Sequence, residues 1–307
     1  MPGPVQCPAV LADQVASRLP TPRPIPGSGV VLIRTPTRTP GRIAVVLLGL
    51  MLLNACGGDD APELTDARRI VSLYPVSTEI LFRIGAGDRV LARSKWCDYP
   101  PEALALPALG DAVGTSAEAV LALRPDLVLA GSHLQEEALA PLASRMRIER
   151  ATVDDVAGVV DLIERLGRLT GRVDEAGRLT GSIRRAMAAA ADRERDPFSF
   201  VFVVQREPLI VAGATSYVGE LLAALGGKNL AAGVAGRWPT LSLETLVKHA
   251  PDVVLDGAMT EADDFWKRLP GLADRVVRVT ETVVLRPGPR LPEALEILDR
   301  HLRGERR

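Results

Sequence analysis

Hydrophobic residues fall into two alternating patterns from residue 69 onward. Short, nearly continuous apolar runs are typical of strands that are buried on both faces, and the stretches between them carry apolar residues every three or four positions, as amphipathic helices do. The alternation predicts an α/β fold with parallel or mixed sheets that are flanked by helices. The predicted strands cover residues 69–74, 89–92, 127–130, 147–151, 198–204, 209–212, 253–255 and 275–279.

A long helical pattern from residue 154 to residue 195 separates two groups of strands. Gly167 and Gly171 are expected to divide it into two helices. The second, near residues 173–193, would be roughly 30 Å long and would join two lobes as one rigid helix. Shorter helices are predicted from a cap at Ser77 or Thr78, and over residues 291–302.

One sequence unit occurs twice. It reads S-A-E-A-V-L-A-L-R-P-D-L-V-L-A-G from residue 116 and S-L-E-T-L-V-K-H-A-P-D-V-V-L-D-G from residue 242, at a constant offset of 126 (244 − 118). A further matching helix aligns Glu79 with Glu220, at an offset of 141 (220 − 79). The duplication predicts two similar Rossmann-like lobes with a ligand cleft between them.

The N-terminal region is predicted to direct export. Arginines precede the apolar run 43–53, which is too short to span a membrane comfortably. The following L-N-A-C resembles the bacterial lipobox and implies a lipid on Cys56; the alternative is an ordinary secretory signal with an incidental Cys. The predicted organisation is an N-terminal extension with a lipoprotein signal peptide (1–55), a tether (56–67), an N-terminal lobe (68–152), a helical region with the backbone helix (153–196) and a C-terminal lobe (197–307).

Composition narrows the class of protein. Of 307 residues, 47% are hydrophobic and 24% charged, and the net charge of −1 gives no general attraction to nucleic acid. After removal of the signal, Cys97 would have no disulfide partner, and it is expected to be a packing residue. The histidines lack metal-site spacing, so His133 is expected to be structural. The sequence has no Gly-rich phosphate loop, nucleophile motif or clustered acid pair, which argues against an enzyme.

Several motifs in order carry a resemblance to a known family. They are the lipobox, S-L-Y-P-V-S-T-E-I from residue 72, W-C-D-Y-P-P from residue 96, the paired Glu units and R-P-G-P-R from residue 286. The chain resembles the substrate-binding lipoproteins of ABC importers that have a single helical backbone and handle vitamin B12, ferric siderophores or haem. The resemblance implies a non-enzymatic, monomeric receptor, exported and anchored by lipid, facing the periplasm or the cell exterior. The implied partners are a permease dimer with its ATPase subunits and a small-molecule ligand.

The resemblance implies a metal chelate as the ligand and no resident cofactor or metal. Cobalamin-binding members place an aromatic residue before D-Y-P-P and a Trp in a W-P stretch, but they carry a further Trp where this chain has Ala112. Flat aromatic faces suit a corrin, a porphyrin or a catecholate. Cobalamin or another corrinoid is the best expectation, with a ferric siderophore or haem as the alternative. The predicted ligand-binding residues are Tyr74, Trp96, Asp98, Tyr99, Trp238 and Arg286.

The resemblance also implies that Glu118 and Glu244, one per lobe, dock onto arginines of the permease. The alternative is that each Glu favours its helix dipole, by about 0.3–1 kcal/mol, or that Glu118 closes a capping box with Thr115. Arg286 and Arg290 match the family's C-terminal Arg turn; they could pair with ligand carboxylates or phosphate, pair with the permease, or be solvated. A two-lobed enzyme and a sensor or scaffold subunit remain as less favoured functions.

Overall fold

Two β-sheets, one in each lobe, organise the chain. The computed structural model describes residues 66–110, 115–132, 134, 136–260, 264–269 and 271–304, so Cys56, Ala112 and His133 lie outside the described residues. The strands are β1 (Ile70–Ser72), β2 (Val90–Arg93), β3 (Leu127–Gly131), β4 (Arg147–Ala151), β5 (Phe198–Gln205), β6 (Ile210–Val211), β7 (Gly227–Asn229), β8 (Val253–Asp256) and β9 (Val276–Arg278). The predicted α/β fold with two lobes is confirmed, while the domain boundaries stay predictions.

Helices cover both sheets and connect them. They are α1 (Pro75–Arg83), α2 (Ala117–Ala122), α3 (Glu136–Ala143), α4 (Val156–Leu169), α5 (Val173–Ala191), α6 (Tyr217–Ala224), α7 (Leu243–His249), α8 (Thr282–Leu285) and α9 (Leu291–Leu302). The predicted closing helix at residues 291–302 matches α9 at both ends. Among the described residues, no helix combines the length and the apolar character needed to cross a membrane.

The first sheet is parallel throughout, in the order β2-β1-β3-β4. Ile70 of β1 pairs with Val90 of β2 and with Leu127 of β3. All five residues of β3 are buried, as expected for the centre of a sheet that is covered on both faces. The core on one face includes Val71, Leu73, Val120, Val128 and Leu142.

The second sheet is mixed and has five strands. Its main order is β6-β5-β8-β9, β7 pairs in parallel with the start of β5, and β6 is antiparallel to the end of β5. Phe200 and Phe202 of β5 are fully buried, and the third Trp of the chain, Trp266, lies in the core of this lobe. Parallel pairing aligns the carboxyl ends of β5, β8 and β9 at one edge, where α/β proteins bind ligands.

Two packed helices carry the chain from one lobe to the other. Gly171, at φ 63°, separates α4 from α5 as predicted, because glycine adopts the left-handed conformation without strain. The prediction that Gly167 also divides the helices is wrong: Gly167 lies inside α4, where a Cβ would be 2.5 Å from Ala176 Cβ of α5. Its function is to let the two helices approach closely. Helix α4 contacts α1 of the first lobe, and α5 contacts α6 and α9 of the second.

The start of α1 also differs from the prediction. The helix begins at Pro75 with Tyr74 as its N-terminal cap residue, so neither Ser77 nor Thr78 caps it. Proline at the first helical position lacks an N–H that would have no partner there, and its fixed φ suits the helix. Thr78 instead lies inside α1, where its Oγ1 is 2.7 Å from Ser72 Oγ at the end of β1. This contact ties α1 to the strand beneath it.

Candidate functional site

The aromatic loop, residues 94–103, follows β2 and is held from beneath by buried groups. Arg93 at the end of β2 donates from Nε to the Ala103 carbonyl at 3.0 Å and from Nη1 to the Ser94 carbonyl at 3.0 Å. Cys97 is fully buried, with Sγ 3.2 Å from Ser94 Oγ, and this burial raises the pKa of the thiol. The thiol therefore stays protonated at the base of the loop. The sequence-based expectation that Cys97 is a packing residue agrees with this position.

The three predicted ligand residues of the loop lie nearer the surface. Trp96 is half-buried, and Lys95 Nζ lies 4.9 Å from its ring centroid. Asp98 is exposed and Tyr99 half-buried. Tyr74, after β1, is half-buried too, and its carbonyl accepts from the Thr78 backbone N–H at 3.0 Å. The loop is therefore fixed at its base and presents aromatic and acidic side chains above it.

The Arg turn, residues 285–290 of the second lobe, contacts this loop at Asp98. Arg286 donates from Nη1 to Asp98 Oδ1 at 2.6 Å and from Nη2 to Oδ2 at 3.3 Å. The two side chains are 29% and 50% exposed. Two residues predicted separately as ligand-binding are thus paired with each other across the lobes. Because water screens the pair, it contributes little to stability.

Arg290, at the other end of the Arg turn, makes a second contact between the lobes. Its Nε and Nη2 donate to Glu79 Oε2 and Oε1 at 3.0 and 2.9 Å, and the two side chains are only 10% and 7% exposed. Its guanidinium also lies 3.8 Å from the Tyr99 ring centroid. Burial disfavours the charged guanidinium, but Glu79 outweighs this and raises the pKa of Arg290. The alternative of a solvated basic turn is therefore wrong for Arg290.

Trp238 is positioned by a loop of the second lobe. The Gly213 backbone N–H donates to the Arg237 carbonyl at 2.8 Å, and a Cβ on Gly213 would lie 2.4 Å from the Gly236 oxygen, so only glycine fits there. Trp238 is half-buried and edge-on to Tyr217, with ring centroids 6.0 Å apart. The Trp238 Nε1 is shielded from water and has no hydrogen-bond partner among the described residues.

Tyr217 links Trp238 to the Arg turn. Tyr217 is buried, and its hydroxyl donates to the Val284 carbonyl at 3.0 Å, directly before that turn. Tyr217 therefore connects the Trp238 ring to the residue that precedes the Arg turn, while the turn itself contacts Asp98 and Tyr99. Sequence reasoning missed Tyr217, although its place as one of three tyrosines in a chain with 4% aromatic residues was a signal.

The first turn of α4 meets the second lobe near Trp238. Asp155 caps α4 by accepting from the Gly158 N–H at 2.7 Å and also pairs with Arg237 at 2.8 Å. Burial opposes the charge on Asp155, but the Gly158 N–H and Arg237 outweigh it and lower the pKa of this carboxyl. Glu220 Oε2 accepts from the Val156 N–H at 2.9 Å. The loop that carries Trp238 is thus tied to the helix that leaves the first lobe.

The two predicted docking glutamates occupy equivalent exposed positions. Ser116 and Ser242 cap their helices, each accepting from the backbone N–H three residues later, at 3.2 and 3.0 Å. Glu118 and Glu244 are each the second residue of the helix and exposed. The predicted alternative of a capping box with Thr115 is wrong, since Ser116 is the cap residue. The backbone N–H of Glu118 and the Ser116 hydroxyl lower the pKa of Glu118, which keeps it ionised.

The described residues include no group of three or more His, Cys, Asp or Glu side chains placed to hold a metal ion. The structure brings together Asp98, Tyr99 and Arg286 and adds Arg290 and Glu79. Sequence reasoning left Arg290 among alternatives and gave Glu79 no role. The duplication drew attention to Glu79 through its alignment with Glu220. It did not indicate the pairing with Arg290, because 211 residues separate the two.

Comparison with known proteins gives consistent matches. A family model described as a periplasmic binding protein matches residues 70–275, more than half of the chain. The vitamin B12-binding protein of Yersinia pestis (strain Pestoides F) is 28% identical over 263 residues, which cover 82% of this chain and 89% of that protein.

Solved structures give matches of the same kind. The periplasmic heme-binding protein RhuT from Roseiflexus sp. RS-1 is 29% identical with a TM-score of 0.65, over 78% of this chain and 99% of that one. The periplasmic vitamin B12 binding protein BtuF of Vibrio cholerae, at 24% identity and a TM-score of 0.63, shares the fold over 78% of this chain and 98% of its own. The chain belongs to the periplasmic binding protein family.

Proposed function

We propose that this protein is the substrate-binding component of an ABC importer for a metal chelate, with cobalamin or another corrinoid as the best candidate. The observation that carries the proposal is the junction at the Arg turn, where Arg286 and Arg290 of the second lobe contact Asp98 and Tyr99 of the aromatic loop. The 28% identity to a vitamin B12-binding protein over most of both chains supports the choice of ligand. The named relatives are binding proteins, which favours a receptor over an enzyme.

Affinity would come from burial of a planar ligand against Trp96, Tyr99 and Trp238. Half-buried aromatic rings lose their remaining contact with water when a flat ligand covers them. The exposed Asp98–Arg286 pair offers one acceptor and one donor group, and a polar ligand edge can replace either partner at small cost because water already screens the pair.

Delivery to the membrane would use both lobes. Glu118 and Glu244 are exposed, anionic and equivalent, as expected for residues that pair with arginines of a two-fold permease dimer with its ATPase subunits. Export, a lipid anchor on Cys56 and a monomeric state complete the proposal. Cys56 lies outside the described residues, so its lipidation rests on the lipobox alone.

A haem or ferric siderophore receptor is the second candidate. It is favoured by the 29% identity to a periplasmic heme-binding protein, which is as high as the identity to the vitamin B12-binding relative. Ala112, which departs from the cobalamin-binding pattern, also favours this second candidate. The aromatic faces alone do not separate a corrin from a porphyrin.

A binding screen by tryptophan quenching tests the proposal. The purified protein is titrated with cyanocobalamin, haemin and a ferric catecholate siderophore. Two of the three Trp residues belong to the candidate site, so binding there quenches most of the emission, and a Trp266→Phe variant removes the signal of the buried third Trp as a control. Quenching by cyanocobalamin alone would establish the ligand. The lack of quenching by all three chelates would refute the importer proposal.

A further inference from the structure

Arg290 lies between a buried carboxylate and an aromatic ring that belongs to the candidate site. Its guanidinium donates two hydrogen bonds to the Glu79 carboxylate and lies over the Tyr99 ring, 3.8 Å from the ring centroid. Glu79 and Tyr99 both come from the first lobe, from α1 and the aromatic loop, and Arg290 comes from the second. Arg290, a side chain of the second lobe, therefore joins α1 and the aromatic loop of the first lobe.

Each contact of Arg290 has a separate physical role. Bidentate pairing with a carboxylate fixes the plane of a guanidinium as well as its position. A cation over an aromatic face attracts that ring, and more strongly when both are withdrawn from water. Without Glu79, the buried guanidinium would lose its hydrogen-bonded carboxylate, keep only the weaker influence of Glu293, and be drawn toward solvent. Glu79 thus determines where Arg290 lies, and Arg290 determines where the Tyr99 ring lies.

Glu220, the counterpart of Glu79 in the second lobe, makes a contact that does not continue to an aromatic ring of the candidate site. Glu220, at the equivalent position of the second lobe, also reaches across to the start of a helix, where it accepts from the Val156 N–H at 2.9 Å. Glu79 likewise reaches Arg290, the residue directly before α9. Both glutamates therefore connect lobes, but only the contact made by Glu79 continues to an aromatic ring in the candidate site. Glu220 is a natural control.

We propose that Glu79 and Arg290 are positioning residues for ligand binding: they hold the Tyr99 ring in the orientation that the ligand requires. The inference rests on the proposed function, because Tyr99 matters only if a ligand contacts it. It goes beyond that function in assigning ligand affinity to a buried ion pair between the lobes. A change of the angle between the lobes would move Arg290 against Tyr99, so the pair also couples lobe geometry to the site.

The first test needs no ligand. Biosynthetic 3-fluorotyrosine places a ¹⁹F label on the three tyrosines, and a Tyr99→Phe variant assigns the Tyr99 resonance. In Glu79→Gln we expect that resonance to shift by more than its linewidth, while the resonances of Tyr74 and Tyr217 stay in place. Glu220→Gln is the matched control and should leave Tyr99 unmoved. A second variant, Glu79→Gln with Arg290→Met, removes both charges and avoids an unpaired buried ion that could unfold the protein. An unmoved Tyr99 resonance in both variants overturns the proposal.

The second test is a double-mutant cycle on the dissociation constant for cyanocobalamin. Glu79→Gln with Arg290→Met should weaken binding by about tenfold or more when Tyr99 is present, and by less than about threefold in a Tyr99→Leu background, because the pair acts through that ring. Equal losses in both backgrounds would show a general structural effect and overturn the proposal. If the unaltered protein binds no cyanocobalamin, the ligand proposal fails, and the ¹⁹F shift alone then decides whether the pair positions Tyr99.

Discussion

At the scale of single residues, two ion pairs join the lobes in different surroundings. The Glu79–Arg290 side chains are 7% and 10% exposed, whereas those of Asp98–Arg286 are 50% and 29% exposed. Both arginines come from the Arg turn, and both carboxylates come from the first lobe. Their geometry is similar, so the difference in burial decides what each pair does.

Removal of one partner from each pair should lower the free energy of unfolding by different amounts. Glu79→Ala removes the hydrogen-bonded carboxylate of the buried Arg290, and we expect a loss of about 3–5 kcal/mol. Asp98→Ala leaves Arg286 partly in water, and we expect a loss of about 0–1 kcal/mol. Denaturant titration of both variants measures the difference. Equal losses would mean that burial does not control these contacts.

At the scale of elements, two glycines in the connecting helices have opposite surroundings. A Cβ on Gly167 of α4 would lie 2.5 Å from Ala176 Cβ, whereas nothing lies within 4 Å of a Cβ on Gly177 of α5. The first glycine therefore permits close helix packing. The second is an exposed helix-interior residue that gives only backbone freedom.

Alanine at these two positions should change stability in opposite directions. We expect Gly167→Ala to cost about 1–3 kcal/mol through overpacking, and Gly177→Ala to add about 0.5–1 kcal/mol because alanine has the higher helix propensity. Thermal unfolding of the two variants checks the signs. Stabilisation by both substitutions would show that α4 and α5 do not pack as closely as described.

The contact between α6 and the start of α4 should depend on pH. Burial, with repulsion from Asp155, raises the pKa of Glu220 despite the Val156 N–H. The folded state then binds this proton more tightly than the unfolded state, so the contribution of Glu220 to stability falls as the pH rises from the unfolded pKa through the folded one. We expect Glu220→Gln, which does not ionise, to gain stability relative to the unaltered protein as the pH rises above the unfolded pKa of a glutamate, about 4.3. Denaturant titrations at a series of pH values from that point upward measure the gain, and a stability difference that stays constant would contradict it.

Local patterns in the sequence predicted the elements well and their long-range contacts poorly. Short apolar runs located β3 and β8 to within a residue, because buried strands need continuous apolar sequence. The start of α1 was misplaced because proline can end a strand or begin a helix, and only tertiary structure decides between them. The pairing of Glu79 with Arg290 joins residues far apart in the sequence, and no local period encodes such a contact.

At the scale of the whole molecule, the duplication gives two similar lobes with different contents. The shared parts are the capped helices that present Glu118 and Glu244. The parts that differ are the aromatic loop of the first lobe and the loop of Trp238 in the second. Symmetric features suit a symmetric partner, and asymmetric features suit a ligand that has no such symmetry.

Substitution of the two glutamates should therefore affect docking without affecting ligand binding. Glu118→Ala with Glu244→Ala should abolish uptake of the chelate by cells, because both proposed contacts with the permease would be lost, while the dissociation constant for the ligand stays unchanged. Uptake of radiolabelled cobalamin, with a parallel binding titration, gives both readouts. Normal uptake by the double variant would leave the two glutamates with only their local role at the helix start.

The most direct test of the account is the stoichiometry of cobalamin binding, measured by equilibrium dialysis and read from the absorbance of the corrin. We predict one cyanocobalamin per protein molecule, and binding weakened by about tenfold or more when Trp238 is replaced by leucine, because a desolvated aromatic contact is lost. No retention of cyanocobalamin, or retention that is unchanged in Trp238→Leu, would contradict the proposal that this protein binds a corrinoid at the candidate site.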